Sequence, residues 1–211
     1  MKSYSELARS VTFSRRGSKT ILTGKHEDLE FVGAGRSAYV FRIKATEKVI
    51  KVFFPPFTAI AKEEARIYRV LQGMDYYPSL YDAGENYLVI DYLRGVTFFD
   101  CLSKGHIIYP QHIEAVDHAL FLARQRGLNP SDIHLRNILL TREGEIKLID
   151  VARFGQKKDC HQWDDLKKVF YKYYNKGLCP KKMPVWLLNR IADVYMKRWL
   201  PQLPQLNGYQ R

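Results

Sequence analysis

The sequence has no uninterrupted apolar run near the roughly 20 residues that span a bilayer, and its opening, MKSYSELARSVTFSRRGS, lacks the apolar core of a secretory leader. No integral membrane segment is expected. Cysteine is scarce: Cys101, Cys160 and Cys179 stand far apart with no C-x-x-C pair, which excludes a disulfide framework and reads as reduced thiols in a cytoplasmic protein. There is no G-x-x-x-x-G-K-[ST] phosphate loop, no internal repeat and no low-complexity tract. Acidic residues are outnumbered, 22 against 34 Lys+Arg, for a net charge of +12, a balance that favours acidic or polyanionic partners. Between Arg153 and Arg198 there are 12 basic residues and four acidic ones, so this one stretch carries +8 of the +12. It reads either as a solvated helical face or as a surface for an anionic partner.

Core-forming material is plentiful. Hydrophobic residues are 46% and aromatics 13% of 211 residues, which excludes disorder for the bulk and suits one compact domain or two small lobes. From Leu29 to Phe54 the chain alternates apolar with polar, broken at Gly33/Gly35 and at Ala45-Thr46-Glu47, predicting three antiparallel strands. Pro55-Pro56 ends the third, and Thr58 is expected to N-cap a helix to about Gln72. Leu80–Asp82 and Tyr87–Asp91 read as two further short strands, and Leu93–Gly95 as the linker between lobes. Pro110 opens a helical period with Ile113, Val116, Leu120 and Phe121 on its buried side, closing near Gly127. Ile138–Leu140 and Ile146–Ile149 flank a hairpin turn, and the chain from about Asp159 reads as helical. Residues 1–25 read as a docking arm or as an extra strand and helix, and the tail Pro201–Arg211 as frayed.

Three constellations carry candidate chemistry. Gly33-Ala34-Gly35-Arg36-Ser37-Ala38-Tyr39-Val40 lies between two strands; such a turn is either a tight hairpin or a place where backbone N–H groups approach phosphate oxygens. Because a strand follows it, it is no dinucleotide fingerprint. Lys51 shares a strand face with Val49, 18 residues after Gly33. It is either an edge lysine or a cation placed beneath that turn. In the 58–72 helix Glu64 lies nearer than Glu63 to the face of Ile60, Ile67, Tyr68 and Leu71, and an inward carboxylate needs a cation, so Glu64 with Lys51 is the economical pairing. Finally, Asp132, Asn137 and Asp150 sit at the ends of short apolar strands. Any one of them alone could serve a cap or a turn, but two acids and an amide meeting in one cleft are hard oxygen donors suited to Mg²⁺.

As a set, these residues resemble the eukaryotic-type protein-kinase superfamily over roughly residues 29–175, in the manner of minimal bacterial Ser/Thr kinase-like proteins and of Rio-type and aminoglycoside or sugar kinases. Gly33–Val40 is similar to G-x-G-x-x-G-x-V with Ala38 for the third glycine, and Val49-Ile50-Lys51 to V-A-I-K. Asp132 and Asn137 have the catalytic-loop spacing, and Asp150 follows Asn137 by 13 residues, where D-F-G would stand. The resemblance implies an α+β bilobal fold: an N-terminal extension over 1–28, a small antiparallel N-lobe sheet with one helix over 29–93, and a reduced, mainly helical C-lobe over 94–211. It implies ATP under Gly33, Ala34, Gly35 and Val40, with Lys51 on the α/β-phosphates and paired with Glu64. Ile90 would be the gatekeeper, with Asp91 and Leu93 offering backbone to adenine. Mg²⁺ would rest on Asn137 and Asp150; Asp132 would orient the acceptor hydroxyl and take its proton, and His134 would meet the γ-phosphate in place of the usual lysine.

The departures matter as much. Pro130 and Ser131 replace the histidine and arginine of H-R-D, the D-F-G position reads Asp150-Val151-Ala152, and only 14 residues separate Asp150 from Asp165, with no A-P-E after them. The resemblance then implies no control by loop phosphorylation. It further implies that Asp165, or adjacent Asp164, braces the catalytic loop. The expected activity is ATP- and Mg²⁺-dependent phosphoryl transfer to Ser/Thr hydroxyls of a protein substrate. A small-molecule kinase and a catalytically silent nucleotide-binding scaffold are the alternatives.

Overall fold

The computed structural model describes residues 2–17 and 19–199, with side chains for 2–17 and 20–193; the expected frayed tail at 201–211 lies outside the described residues. The chain opens with helix α1, Tyr4–Ser10, fixed by a capping box in which Ser3 and Glu6 satisfy each other's backbone N–H. A hairpin follows, β1 (Thr12–Arg16) with β2 (Lys19–Gly24). Strands β3 (Leu29–Ala34), β4 (Ala38–Ile43) and β5 (Lys48–Phe53) fall where the alternation places them. With β6 (Leu80–Ala83) and β7 (Tyr87–Asp91) they form one antiparallel sheet in the order β3-β4-β5-β7-β6.

The sheet is covered on both faces. On one, Leu7, Ala8 and Val11 bury against Phe41, Ile50, Val52 and Val89. The hairpin joins there too: Phe13 stacks on Tyr39 with ring centres 5.9 Å apart, and Tyr39 Oη donates to the Thr20 carbonyl at 3.0 Å. The other face takes helix α2, Thr58–Leu71. Thr58 is its first helical residue, and the N-cap is Phe57, with no side-chain cap; a 3-10 turn at Pro55–Phe57 leads the chain in, so the expected Thr58 cap is unneeded.

Beyond β7 the chain gives strand β8 (Gly95–Thr97) and helix α3 (Phe98–Lys104), neither expected from periodicity because both are too short to show one. Thr97 Oγ1 accepts from the Asp100 N–H at 3.0 Å, and Gly105, at φ +86°, closes the helix. Helix α4, Pro110–Gln125, buries Ile113, Val116 and Leu120. Phe121 is 51% exposed and belongs to the outer side, one position round from Leu120. Strands β9 (Ile138–Thr141) and β10 (Ile146–Leu148) make the expected hairpin and pair with β8 in a second sheet, β10-β9-β8. Gly95 is therefore strand and not linker; a side chain there would collide with the Leu140 backbone.

The final stretch is less continuously helical than expected: α5 (Gln162–Val169), a π-turn at Phe170–Tyr174, then α6 (Val185–Trp199). A single apolar cluster runs from Phe53 and Tyr68 through Phe98 and Val116 to Phe154, Trp163 and Phe170. No helix among the described residues is long and apolar enough to cross a membrane.

Residues 1–28 thus hold α1 and the β1–β2 hairpin, packed into the core of the sheet. Leu7 is 1% exposed, and Leu7→Ala should cost about 2–5 kcal/mol in urea unfolding. A cost below about 1 kcal/mol would separate α1 from the cooperative core.

Candidate active site

Every expected site residue except His134 lines one cleft of about 1180 Å³ between the inner face of the five-stranded sheet, α2, and the loops that flank β9 and β10. Its roof is the β3–β4 turn. Gly35 N–H donates to the Ala38 carbonyl at 2.8 Å, and a bulge lies between Phe31 and Gly33. Neither Gly33 nor Gly35 is among the residues with positive φ. Their lack of side chains matters for space instead: a Cβ on Gly33 would meet nothing within 4 Å, so this backbone borders open volume.

Lys51 stands opposite Val40 on one neighbouring strand and Leu88 on the other. Its Nζ lies 2.8 Å from Glu64 Oε2, 2.9 Å from Glu64 Oε1 and 2.9 Å from Asp150 Oδ1. Three sequence-distant elements converge on that nitrogen. The Glu64 side chain is 1% exposed and that of Lys51 13%. Burial works against the Lys51 charge, but the two carboxylates outweigh it and the ammonium titrates above its ordinary value. Burial raises Glu64, which has one cation in its favour and the Asp150 charge against it. For Asp150 burial acts upward but Lys51 overrides it, holding the carboxyl below its usual value.

Asp132 and Asp150 share a further property. Both are non-glycine residues in the left-handed region, at φ +63° and +60°, and among the described residues only Ala45 joins them. Such backbone costs on the order of 1–3 kcal/mol and persists where surrounding structure enforces it. That structure is evident: Asn137 Nδ2 donates to the Asp132 carbonyl at 3.1 Å, and Ile149 N–H donates to the Asn137 carbonyl at 3.0 Å. With Nδ2 so engaged, Asn137 Oδ1 is left as its acceptor. His134 is partly buried, its Nδ1 accepting the Arg136 N–H at 3.3 Å. Burial, aided by Arg36 and Arg136, keeps this imidazole below its usual pKa despite Asp132 and Asp150. Asp165, read as a brace for the catalytic loop, has Lys168 at 3.6 Å.

Two residues of the site went unnoticed in the sequence. Arg153 Nε lies 3.3 Å from Asp132 Oδ2. Asn129 ties the segment after Asp150 in place: its N–H donates to the Phe154 carbonyl at 2.7 Å, and its Nδ2 to the carbonyls of Gln156 and Lys158 at 3.0 and 3.1 Å. A polar residue just ahead of Pro130 is the only signal for Asn129, and none distinguishes Arg153 from the basic residues that follow it.

No family model matches the chain. A protein of Bacillus subtilis (strain 168), named "Putative serine/threonine-protein kinase YrzF", is 45% identical over 195 residues, covering 92% of this chain and 91% of that protein. A "Probable serine/threonine-protein kinase CPE1738" from Clostridium perfringens is 29% identical over 62% of this chain and 22% of its own. The "Serine/threonine-protein kinase max-2" of Caenorhabditis elegans is 26% identical over 80% of this chain and 29% of its own. The chain belongs to the protein-kinase-like family.

The buried triad sets a pH dependence. Because the folded pKa of Lys51 is raised, its contribution is fully present below the unfolded lysine value of about 10.4 and is lost as pH climbs through the folded value. Urea unfolding should show stability falling above about pH 10.4, with a smaller fall in Lys51→Met. The substitution itself should cost about 3–5 kcal/mol at neutral pH by leaving Glu64 buried without its cation. An undiminished alkaline fall in Lys51→Met would assign the titration to another group.

Proposed function

We propose that this chain transfers the γ-phosphoryl group of ATP, with Mg²⁺, to Ser/Thr hydroxyls of a protein. The observation that carries the reading is the convergence of Glu64 and Asp150 on Lys51 Nζ beneath the glycine turn. The donor set fits the cofactor pair. An amide oxygen and a carboxylate are hard ligands, of the kind that holds Mg²⁺ together with substrate phosphates. The bound nucleotide and metal supply the transferable group and the neutralisation of its charge.

In this reading Asn137 and Asp150 hold Mg²⁺, Lys51 pairs the phosphates, and the backbone of Gly33, Ala34 and Gly35 covers them. Val40, Ile90 and Leu93 enclose the base, with the backbone of Asp91 and Leu93 contacting it. Asp132 orients the acceptor hydroxyl and receives its proton, and His134 contacts the γ-phosphate. The arrangement is bilobal: extension 1–28, N-lobe 29–93, C-lobe 94–211. The basic C-terminal stretch, where Tyr171, Tyr173 and Trp186 are exposed, is the surface for an anionic partner. A small-molecule acceptor is the second reading, favoured by His134 two residues after Asp132 and by the short chain between Asp150 and α5.

Incubation with Mg²⁺, γ-labelled ATP and protein acceptors should label protein. Asp132→Asn should lower the rate about 100-fold or more, and Asp150→Ala should abolish transfer. Label confined to a hydroxylated metabolite would select the second reading, and nucleotide binding without any transfer would overturn both.

A further inference from the structure

Around Asp132 the cleft brings three guanidinium groups together. Arg36 from the β3–β4 turn, Arg136 and Arg153 all line it. Of the other carboxylates near it, Glu64 and Asp150 share Lys51, and Glu63 pairs with Arg66 at 2.7 Å. Among the described residues Arg36 and Arg136 have no carboxylate within ion-pair distance, and Arg136 is held in place from the side, its guanidinium over the Phe99 ring at 3.4 Å and donating to Asn189 Oδ1 at 2.9 Å. Arg153 alone reaches an acid, and that acid is Asp132.

This pairing occupies one oxygen of the carboxylate that the proposed reaction needs. An acceptor hydroxyl that approaches Asp132 through Oδ2, 3.3 Å from Arg153 Nε, must displace the guanidinium from that oxygen. The Arg153 side chain is 51% exposed, so the pair is weak and readily exchanged. A basic acceptor would add cations beside three arginines, and a neutral one would leave Arg153 without a counter-charge. A carboxylate near the hydroxyl offers the guanidinium a bidentate partner and frees Asp132 in the same movement.

We infer that the acceptor is an acidic peptide segment, with Asp or Glu side chains close to the phosphorylated hydroxyl, and that Arg153 selects it by exchanging Asp132 for an acceptor carboxylate. This rests on the phosphoryl-transfer reading above, and it agrees with the net charge of +12. Arg153 is therefore a specificity residue, and Arg36 and Arg136 complete the anion-favouring rim.

The test uses the full chain with Mg²⁺ and ATP and matched serine peptides flanked by Glu, by phosphoserine, by Ala or by Lys. Wild type should show kcat/KM at least about tenfold higher for the Glu than for the Lys series, and Arg153→Gln should lose most of that preference through the peptide KM. Arg153→Lys, which keeps the charge without the fork, should fall between them. Equal kcat/KM for Glu and Lys flanks, or a preference undiminished in Arg153→Gln, overturns the inference. A change in the ATP KM instead of the peptide KM also overturns it, by placing Arg153 on the nucleotide. Superiority of phosphoserine over Glu by a further tenfold would replace the carboxylate with a phosphate as the recognised group.

A second arm separates this inference from the parent reading. Fluorescence anisotropy of a Glu-flanked peptide with Ala for Ser requires no turnover, and it should give weaker binding to Arg153→Gln than to wild type. Such a difference without any peptide labelling would uphold the anion recognition and overturn phosphoryl transfer to peptides. The absence of any difference overturns the anion recognition whether or not transfer occurs.

Discussion

The charge on Lys51, placed on the inner face of β5, is the constraint on which the arrangement of the rest depends. Withdrawing an ammonium from water costs several kcal/mol unless carboxylates reach it with good geometry. Here one comes from α2 and the other from the chain just beyond β10. That requirement fixes the rotation of α2 about its own axis, because Glu64 must face the sheet while Ala61, Ala65 and Tyr68, one helical turn or less away, bury around it. It fixes the end of the β9–β10 hairpin equally, since Asp150 must arrive from below. A single ion cluster thereby joins a strand, a helix and a loop that lie 13 and 99 positions apart in sequence.

The loops that deliver Asp132 and Asp150 hold both in left-handed backbone, and the compensation is local. Ile133 and Val151, the residues immediately after them, are buried in the large apolar cluster, while Asn137 connects the two loops by accepting from Ile149 and donating to Asp132. Strain at both positions is thus sustained by packing one residue along and by one shared asparagine, through its main-chain carbonyl and its side-chain amide, a dependence that makes the geometry of the cleft a property of its supports as much as of its lining.

Much of this was legible because it has a period. The alternation of β3 to β5 and the 3.6-residue repeat of α2 placed Lys51 and Glu64 on facing surfaces before any coordinates, and the structure brings them to 2.8 Å. The expected hairpin after Asn137 puts Asp132, Asn137 and Asp150 at one cleft, and all three line it. What escaped had no period to read. Strand β8 has three residues and α3 seven, and the N-terminal segment, open between a docking arm and an extra strand and helix, holds α1 and a two-stranded hairpin, with Ser3 and Glu6 spelling a capping box. Phe121, expected on the buried side with Leu120, faces outward because one step on a helix turns the side chain by about 100°. The pairing of Arg153 with Asp132 and the tethers from Asn129 depend on how one short loop folds across another, and side-chain identity carries no trace of that.

Those tethers explain how a chain with so little sequence between Asp150 and α5 can keep it ordered. Ser131 stands where the resemblance would place an arginine to grip a phosphorylated loop; it is buried, and its hydroxyl donates to the Asn129 carbonyl at 2.9 Å. Asn129, so oriented, spends its own N–H and amide on three carbonyls of the segment. Phe154 is buried edge-on against Tyr77, their ring centres 6.1 Å apart, and Gly155 passes so close to the Glu63–Arg66 pair of α2 that a side chain there would displace it. Neutral hydrogen bonds and one aromatic contact thus do what an added phosphate would do by charge. Because these contacts are built into the fold, Asp150 is already held on Lys51 in the free chain, and in the proposed reaction selection would fall to the entry of the acceptor at Asp132.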